Sequence, residues 1–187
     1  MTRLALPDAT FFALETPSRP MHAGALMLFD PPAGEPAADF AARVVAGFRE
    51  TAPVAPFNQR PDLTLGRLPQ WVTVEAVDLN HHVRHIALPG QATRQQLMEL
   101  VGHLYVALLD RSRPLWECYV IEGLKAALSR FSISCITPWP MGSAAAGCWS
   151  GRCLPPRLIA LLGRFGRHGR PLHDLLAKRF PRIGAIP

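Results

Sequence analysis

A mixed α/β domain is the fold class this sequence predicts. Apolar runs that read as strands are interleaved with segments whose apolar residues recur at helical spacing. At 187 residues and 49% hydrophobic content, the chain is long and apolar enough for one packed core, which argues against wholesale disorder. No apolar run reaches the roughly 18 residues that a bilayer span needs.

In chain order, Ala9 to Glu15 reads as a short amphipathic helix with Asp8 as its N-cap. Met21 to Phe29 reads as a buried strand, stopped by Asp30-Pro31-Pro32 because proline cannot donate to a strand ladder. Phe40, Ala41, Val44, Val45 and Phe48 fall at helical spacing. Pro53 to Arg67 reads mostly as loop. Val72, Val74 and Ala76 alternate with Thr73 and Glu75, a strand signal. Thr93 and Gln96 form a capping box. Behind it Leu97, Leu100, Val101, Leu104 and Leu108 make one apolar stripe, the core face of a helix. Arg111-Ser112-Arg113-Pro114 breaks that helix, and Trp116 to Ile121 reads as a returning strand.

The net charge of +6 hides a split. Residues 1–124 carry 10 Lys/Arg and 13 Asp/Glu, whereas residues 125–187 carry 10 Lys/Arg and the single acid Asp174. The second part also keeps neither apolar period from Ser129 to Trp149, with at most a short helix at Leu158 to Leu162. We therefore divide the chain into a domain at 1–124 and a basic, poorly packed tail at 125–187. The cysteines Cys118, Cys135, Cys148 and Cys153 contain no CxxC pair, so they read as free thiols rather than a zinc site, and no metal is expected. The N-terminus has no long apolar stretch and turns acidic at Asp8. It does not read as a signal peptide, which places the expected location in the cytoplasm.

One block stands out. Leu108-Leu109-Asp110-Arg111-Ser112-Arg113-Pro114-Leu115-Trp116-Glu117, followed by Ile121-Glu122-Gly123-Leu124, resembles the bacterial wax ester synthase/diacylglycerol acyltransferase family. Two further blocks match in the same order: Pro20-Met21-His22-Ala23-Gly24, and Asp78-Leu79-Asn80-His81-His82-Val83-Arg84-His85 running to Ala87-Leu88-Pro89. The resemblance implies the N-terminal subdomain of the CoA-dependent acyltransferase, or chloramphenicol acetyltransferase-like, fold, here incomplete. It implies transfer of an acyl group from acyl-CoA to a diacylglycerol or a long-chain alcohol. Acyl-CoA and a neutral-lipid acceptor are then the partners, with peripheral contact to a membrane or lipid inclusion and no further cofactor.

The family's catalytic motif is His-His-x-x-x-Asp-Gly, whose second histidine serves as general base on the acceptor hydroxyl. A histidine suits that role because its pKa lies near the working pH. The motif does not occur in this chain. His81-His82 is the only adjacent histidine pair, and it belongs to the middle block. His82 reads as a loop or strand-end histidine, not as the base.

The motif is expected shortly after Leu124, where the chain reads Cys135-Ile136-Thr137-Pro138-Trp139-Pro140-Met141-Gly142. Codons for these residues, read from their third base, can spell His-His-Ala-(Met/Leu/Val)-Ala-Asp-Gly, using the codons a GC-rich gene prefers. The expectation is a reading-frame shift between about Lys125 and Ser134. The tail's basic charge is then a by-product of shifted codons, and the chain as written is an inactive fragment.

Asp110, Arg111, Arg113, Pro114, Trp116 and Glu117 are the residues in which the resemblance places family importance. An Arg and an Asp in one tight loop pair with each other or with the backbone, so a structural role is favoured over substrate contact. Trp116 is expected in the core, and His22, on an apolar strand, as a satisfied core histidine. The alternative reading is a non-catalytic protein whose basic tail, with the Arg157 to Arg170 run, binds anionic membrane surfaces. The tail lacks interleaved aromatics, so no nucleic acid is expected. Oligomeric state is left open.

Overall fold

The computed structural model describes residues 2–125, together with the backbone of residues 131–138. The remaining residues, including the Leu158 to Leu162 and Arg157 to Arg170 segments, lie outside the described part.

The elements run β1 (Thr2–Arg3), α1 (Leu6–Leu14), β2 (His22–Phe29), α2 (Ala37–Arg49), β3 (Gln59–Asp62), β4 (Gln70–Thr73), α3 (Leu79–His82), β5 (Val83–Ala92), α4 (Arg94–Val106), β6 (Glu117–Leu124) and β7 (Phe131–Pro138). They form two sheets. The larger has the order β2-β7-β6-β5, and the smaller β1-β4-β3. β5 and β6 are parallel, so their connection must cross over the sheet, and α4 makes that crossing. β7 is antiparallel to both β2 and β6.

The core has two layers because β6 is covered on both faces. Cys118 and Val120 point to one side, where Phe40, Ala41, Val44 and Val45 of α2 join Phe29 and Val83. Tyr119 and Ile121 point to the other side, against Phe12 of α1, Leu97 of α4, Leu115 and Leu124. The period of two in a strand sends successive side chains into opposite cores, which is why the run Cys118 to Ile121 at the centre of this strand is buried on both faces. Phe40, Val44, Val83, Val120 and Ile121 are fully buried. Each such side chain contributes about 1.5–3 kcal/mol of transfer free energy.

α2 and the capping box of α4 agree with the sequence. Thr93 accepts from the backbone of Gln96, whose own side chain accepts from the backbone of Thr93. The α4 stripe is shorter than expected: Leu97 is buried, but the helix ends at Val106 and leaves Leu108 38% exposed.

Other expectations are corrected. α1 begins at Leu6 with Ala5 as its cap, because Pro7 suits the first turn and starts the helix earlier. Asp8 therefore lies inside the first turn, where its charge still complements the helix dipole. β3 lies within the segment read as loop. It tolerates Pro61 because it is an edge strand bonded only to β4. β4 spans Gln70–Thr73, so Val74 and Ala76 fall beyond it. β5, which no period marked, breaks register between Ala87 and Ala92, with Gln91 at φ 58°. Finally, residues 131–138, in the segment where the sequence suggested at most a short helix, form a strand between β2 and β6.

Candidate functional site

The block from Asp110 to Glu117 joins α4 to β6. Its polar side chains reach out to three other elements. Asp110 closes the turn upon itself: its Oδ1 accepts from the Ser112 backbone N–H at 2.9 Å and from the Ser112 hydroxyl at 2.7 Å. The backbone N–H of Arg113 donates to the Asp110 carbonyl at 3.1 Å. The bonds from Ser112 hold the Asp110 carboxyl below the usual range, because they favour its charged form.

Arg113 bridges two acids. Its Nε lies 3.4 Å from Asp110 Oδ2, and its Nη1 lies 3.5 Å from Asp78 Oδ2. Asp78 is the N-cap of α3 and accepts from the backbones of Asn80 and His81. Burial acts to raise the Asp78 pKa, but the backbone N–H groups of His81 and Asn80, with Arg113, outweigh it and hold the pKa low.

Arg111 points the other way, to the C-terminal end of α1. Its Nη2 donates to the Phe12 carbonyl at 2.9 Å and to Glu15 Oε2 at 3.0 Å. The guanidinium also stands 5.4 Å from the centroid of the Phe12 ring. A cation is well placed here because the last carbonyls of a helix lack intrahelical partners. Glu15 Oε1 in turn accepts from the Met21 backbone at 3.1 Å, which fixes the start of the Met21-His22-Ala23-Gly24 stretch.

Pro114 and Leu115 are buried, and they turn the chain into β6. Trp116 packs against the α2-side core and donates from Nε1 to the Phe57 carbonyl at 2.8 Å. Its indole stacks on His82, with centroids 4.5 Å apart and planes inclined by 20°. His82 Nδ1 lies 2.7 Å from the Trp116 carbonyl. A carbonyl only accepts, so Nδ1 carries the hydrogen. His82 is 1% exposed, and burial lowers its pKa by penalising the charged ring. It sits at the last position of α3, not in a loop, and is buried there.

Glu117 opens β6. Its Oε2 accepts from the Tyr119 hydroxyl, and its Oε1 lies 3.8 Å from His81 Nε2 and 4.0 Å from Arg84 Nη2. Burial and the neighbouring carboxylate push the Tyr119 hydroxyl pKa well up. His81 Nδ1 lies 3.4 Å from Arg84 Nη2, which can only donate, so that nitrogen is the acceptor. His22 is 5% exposed and bonded through Nε2 to the Tyr105 carbonyl at 2.6 Å.

Among the described residues, all six block residues make contacts that join or turn elements of the fold. Arg111 holds α1, Arg113 holds Asp110 and α3, Trp116 holds His82 and the Phe57 loop, and Glu117 gathers Tyr119, His81 and Arg84. The Glu15–Arg111 and Asp78–Arg113 pairs span 96 and 35 residues of sequence, and no local pattern signalled them. Among the described residues no group of three His, Cys, Asp or Glu side chains converges as a metal site would require. No helix among them is long and apolar enough to cross a membrane.

Comparison with known proteins gives a consistent result. Residues 4–133 match the family described as wax ester synthase/diacylglycerol acyltransferase catalytic domain. The chain is 38% identical over 125 residues to a Mycobacterium tuberculosis H37Rv protein named "Probable diacyglycerol O-acyltransferase Tgs4", covering 67% of this chain and 26% of that protein. It is 39% identical over 122 residues to the same organism's "Probable diacyglycerol O-acyltransferase tgs2", covering 63% of this chain and 26% of that one. Among solved structures, a wax ester synthase/diacylglycerol acyltransferase from Marinobacter aquaeolei VT8 superposes with a TM-score of 0.71 at 38% identity, covering 79% of this chain and 37% of that one. The starter condensation domain of rhizomide synthetase superposes with a TM-score of 0.55 at 13% identity, covering 88% of this chain and 38% of that one, which is a likeness of fold alone. The matched part spans about a quarter of the two mycobacterial relatives' length.

Proposed function

The chain belongs to the wax ester synthase/diacylglycerol acyltransferase family, and from that premise we propose that its lineage activity is O-acyl transfer from acyl-CoA to a diacylglycerol or a long-chain alcohol. In that reaction the acceptor oxygen bonds to the thioester carbonyl carbon and the carbon–sulfur bond breaks. The hydroxyl proton leaves through a general base, and CoA departs as the thiol.

We further propose that the chain as written does not perform the step, because it lacks the base. The motif His-His-x-x-x-Asp-Gly is absent from its sequence. Neither buried histidine replaces it: His82 is locked against Trp116, and His22 against Tyr105.

The register of β7 carries this reading. Ile136 pairs with Gly24 of β2 on one side and with Glu117 of β6 on the other. Those partners belong to two of the three blocks that carry the family resemblance. In the shifted frame the two histidine codons straddle Cys135/Ile136 and Ile136/Thr137, at this junction. The family match also stops at residue 133, just before it, which supports a change of frame upstream of the motif. Residues 139–142, where the shifted motif would finish, lie outside the described part. The expected location is the cytoplasm, at the periphery of a membrane or lipid inclusion.

The test is a paired assay. The 187-residue chain and a frame-restored chain are incubated with acyl-CoA and either a diacylglycerol or a long-chain alcohol, and CoA thiol release and ester are measured. We expect ester only from the restored chain. Ester made by the 187-residue chain would overturn the inactive reading. Salt-sensitive binding of that chain to anionic vesicles, with no ester from either chain, would favour the basic-surface alternative.

A further inference from the structure

A small cavity lies between α1, the start of β2 and the Leu109 to Leu115 loop. Its lining includes Phe12, Glu15, Met21, His22, Leu109 and Leu115. Most of that lining is apolar. The exceptions are Glu15 and His22, and His22 has an unusual hydrogen-bonding state.

Tyr105 of α4 holds both the ring and the backbone of His22. Nε2 lies 2.6 Å from the Tyr105 carbonyl, and the Tyr105 hydroxyl donates to the His22 carbonyl at 2.5 Å. The two rings also meet edge to face, with centroids 4.7 Å apart. The Tyr105 carbonyl has only lone pairs, so Nε2 carries the hydrogen. A neutral imidazole in that tautomer presents a bare lone pair at Nδ1. That atom is buried, and nothing among the described residues donates to it. A buried acceptor left without a donor loses its hydration and gains no bond in exchange. One bond and a ring contact hold the ring in this pose, and a second bond holds the His22 backbone, so the lone pair is fixed in place.

We propose that this cavity is a hydration site for one water molecule, which donates one hydrogen to His22 Nδ1 and the other to the Glu15 carboxylate. The space suits about one water, and a neutral donor of that size is what a fixed lone pair in an apolar lining can take. Glu15 has capacity for it. Its two oxygens each accept one bond, from Met21 and Arg111, while a carboxylate offers roughly four acceptor sites. The water closes a chain of contacts from Tyr105 through His22 and Glu15 to Arg111. That chain ties the Pro20 to Gly24 block to the Asp110 to Glu117 block, beside the Glu15 bond to the Met21 backbone and the pairing of Ile136 with both Gly24 and Glu117. The inference does not rest on acyl transfer, and the residues that line the cavity all precede Lys125.

The test is nitrogen and water NMR on the ¹⁵N-labelled 187-residue chain. We expect His22 to show a protonated Nε2 and an unprotonated Nδ1, with the Nδ1 resonance displaced upfield from that of a free lone pair. A cross peak of the sign of a long-lived water should appear at the His22 ring protons. Tyr105→Phe keeps the backbone carbonyl and the tautomer, so the water signal should persist in it. His22→Phe removes the acceptor, so long-lived water signals at Leu115 and Met21 should be lost. A protonated Nδ1, or a free-lone-pair Nδ1 with no water cross peak in the unmodified chain, would overturn the proposal.

Discussion

The His82 imidazole lies flat on the Trp116 indole, 4.5 Å between centroids, and hydrogen-bonds through Nδ1 to the carbonyl of that same tryptophan. One residue thereby fixes both the ring and the backbone of another at the point where the family block turns into β6. Removing it leaves a cavity and an unpaired buried carbonyl. His82→Ala should therefore lower stability by about 2–4 kcal/mol, read by urea denaturation. A loss below about 1 kcal/mol would mean that the stack is incidental.

The same burial gives a pH dependence. Burial depresses the folded-state pKa of His82 below its unfolded value, so below about pH 6.5 the unfolded chain binds the proton more readily. The contribution is fully present above the unfolded pKa and is lost as pH falls towards the folded one. Denaturation series at pH 7 and pH 5 should show a larger loss for the unmodified chain than for His82→Phe, which cannot titrate. Equal losses would count against a buried neutral ring.

Arg111 connects the block to α1 through the Phe12 carbonyl and Glu15. Its side chain is 38% exposed, so water screens part of the ion pair and the expected cost of Arg111→Ala is only about 1 kcal/mol. The effect should be local. Amide exchange should quicken in the last turn of α1 and at Met21, with α2 unchanged. Uniform acceleration across both helices would contradict the clamp.

Ser112 makes both principal bonds that depress the Asp110 pKa. Ser112→Ala removes the hydroxyl but keeps the backbone N–H. Carboxyl NMR titration should show the Asp110 pKa rising part of the way to the usual aspartate value. No movement would assign the depression to the Ser112 backbone N–H and Arg113 instead.

Gly123 lies at φ 89°, and a Cβ built on it would stand 2.3 Å from the Leu88 carbonyl oxygen. That oxygen is backbone, in the irregular part of β5, and cannot swing aside. Gly123→Ala combines left-handed strain with a clash and should cost about 2–4 kcal/mol in a denaturation experiment. A neutral substitution would mean that β5 rearranges freely.

Legibility in the sequence followed the source of each element's stability. α2 and α4 bury one stripe each, so their periods and the Thr93 capping box were readable. β3 is Gln-Arg-Pro-Asp and owes its place to backbone pairing with β4, which leaves no side-chain pattern. β7 is a different case. Phe131, Ile133 and Cys135 alternate with Ser132 and Ser134, a strand signal masked by the basic, period-free sequence around it. The site divided the same way. The block from Asp110 to Glu117 was visible as a motif, whereas its contacts with Phe12, Glu15, Asp78 and Phe57 depend on the tertiary fold.

The central claim is that the frame shifts between about Lys125 and Ser134 and so hides the catalytic motif. Sequencing the coding DNA from codon 115 past codon 187 tests it most directly. The account predicts that the frame starting at the third base of the Cys135 codon reads His-His-x-x-x-Asp-Gly and continues open past codon 187. Codons that spell anything else there, or an early stop in that frame, would contradict it and make the basic segment genuine sequence.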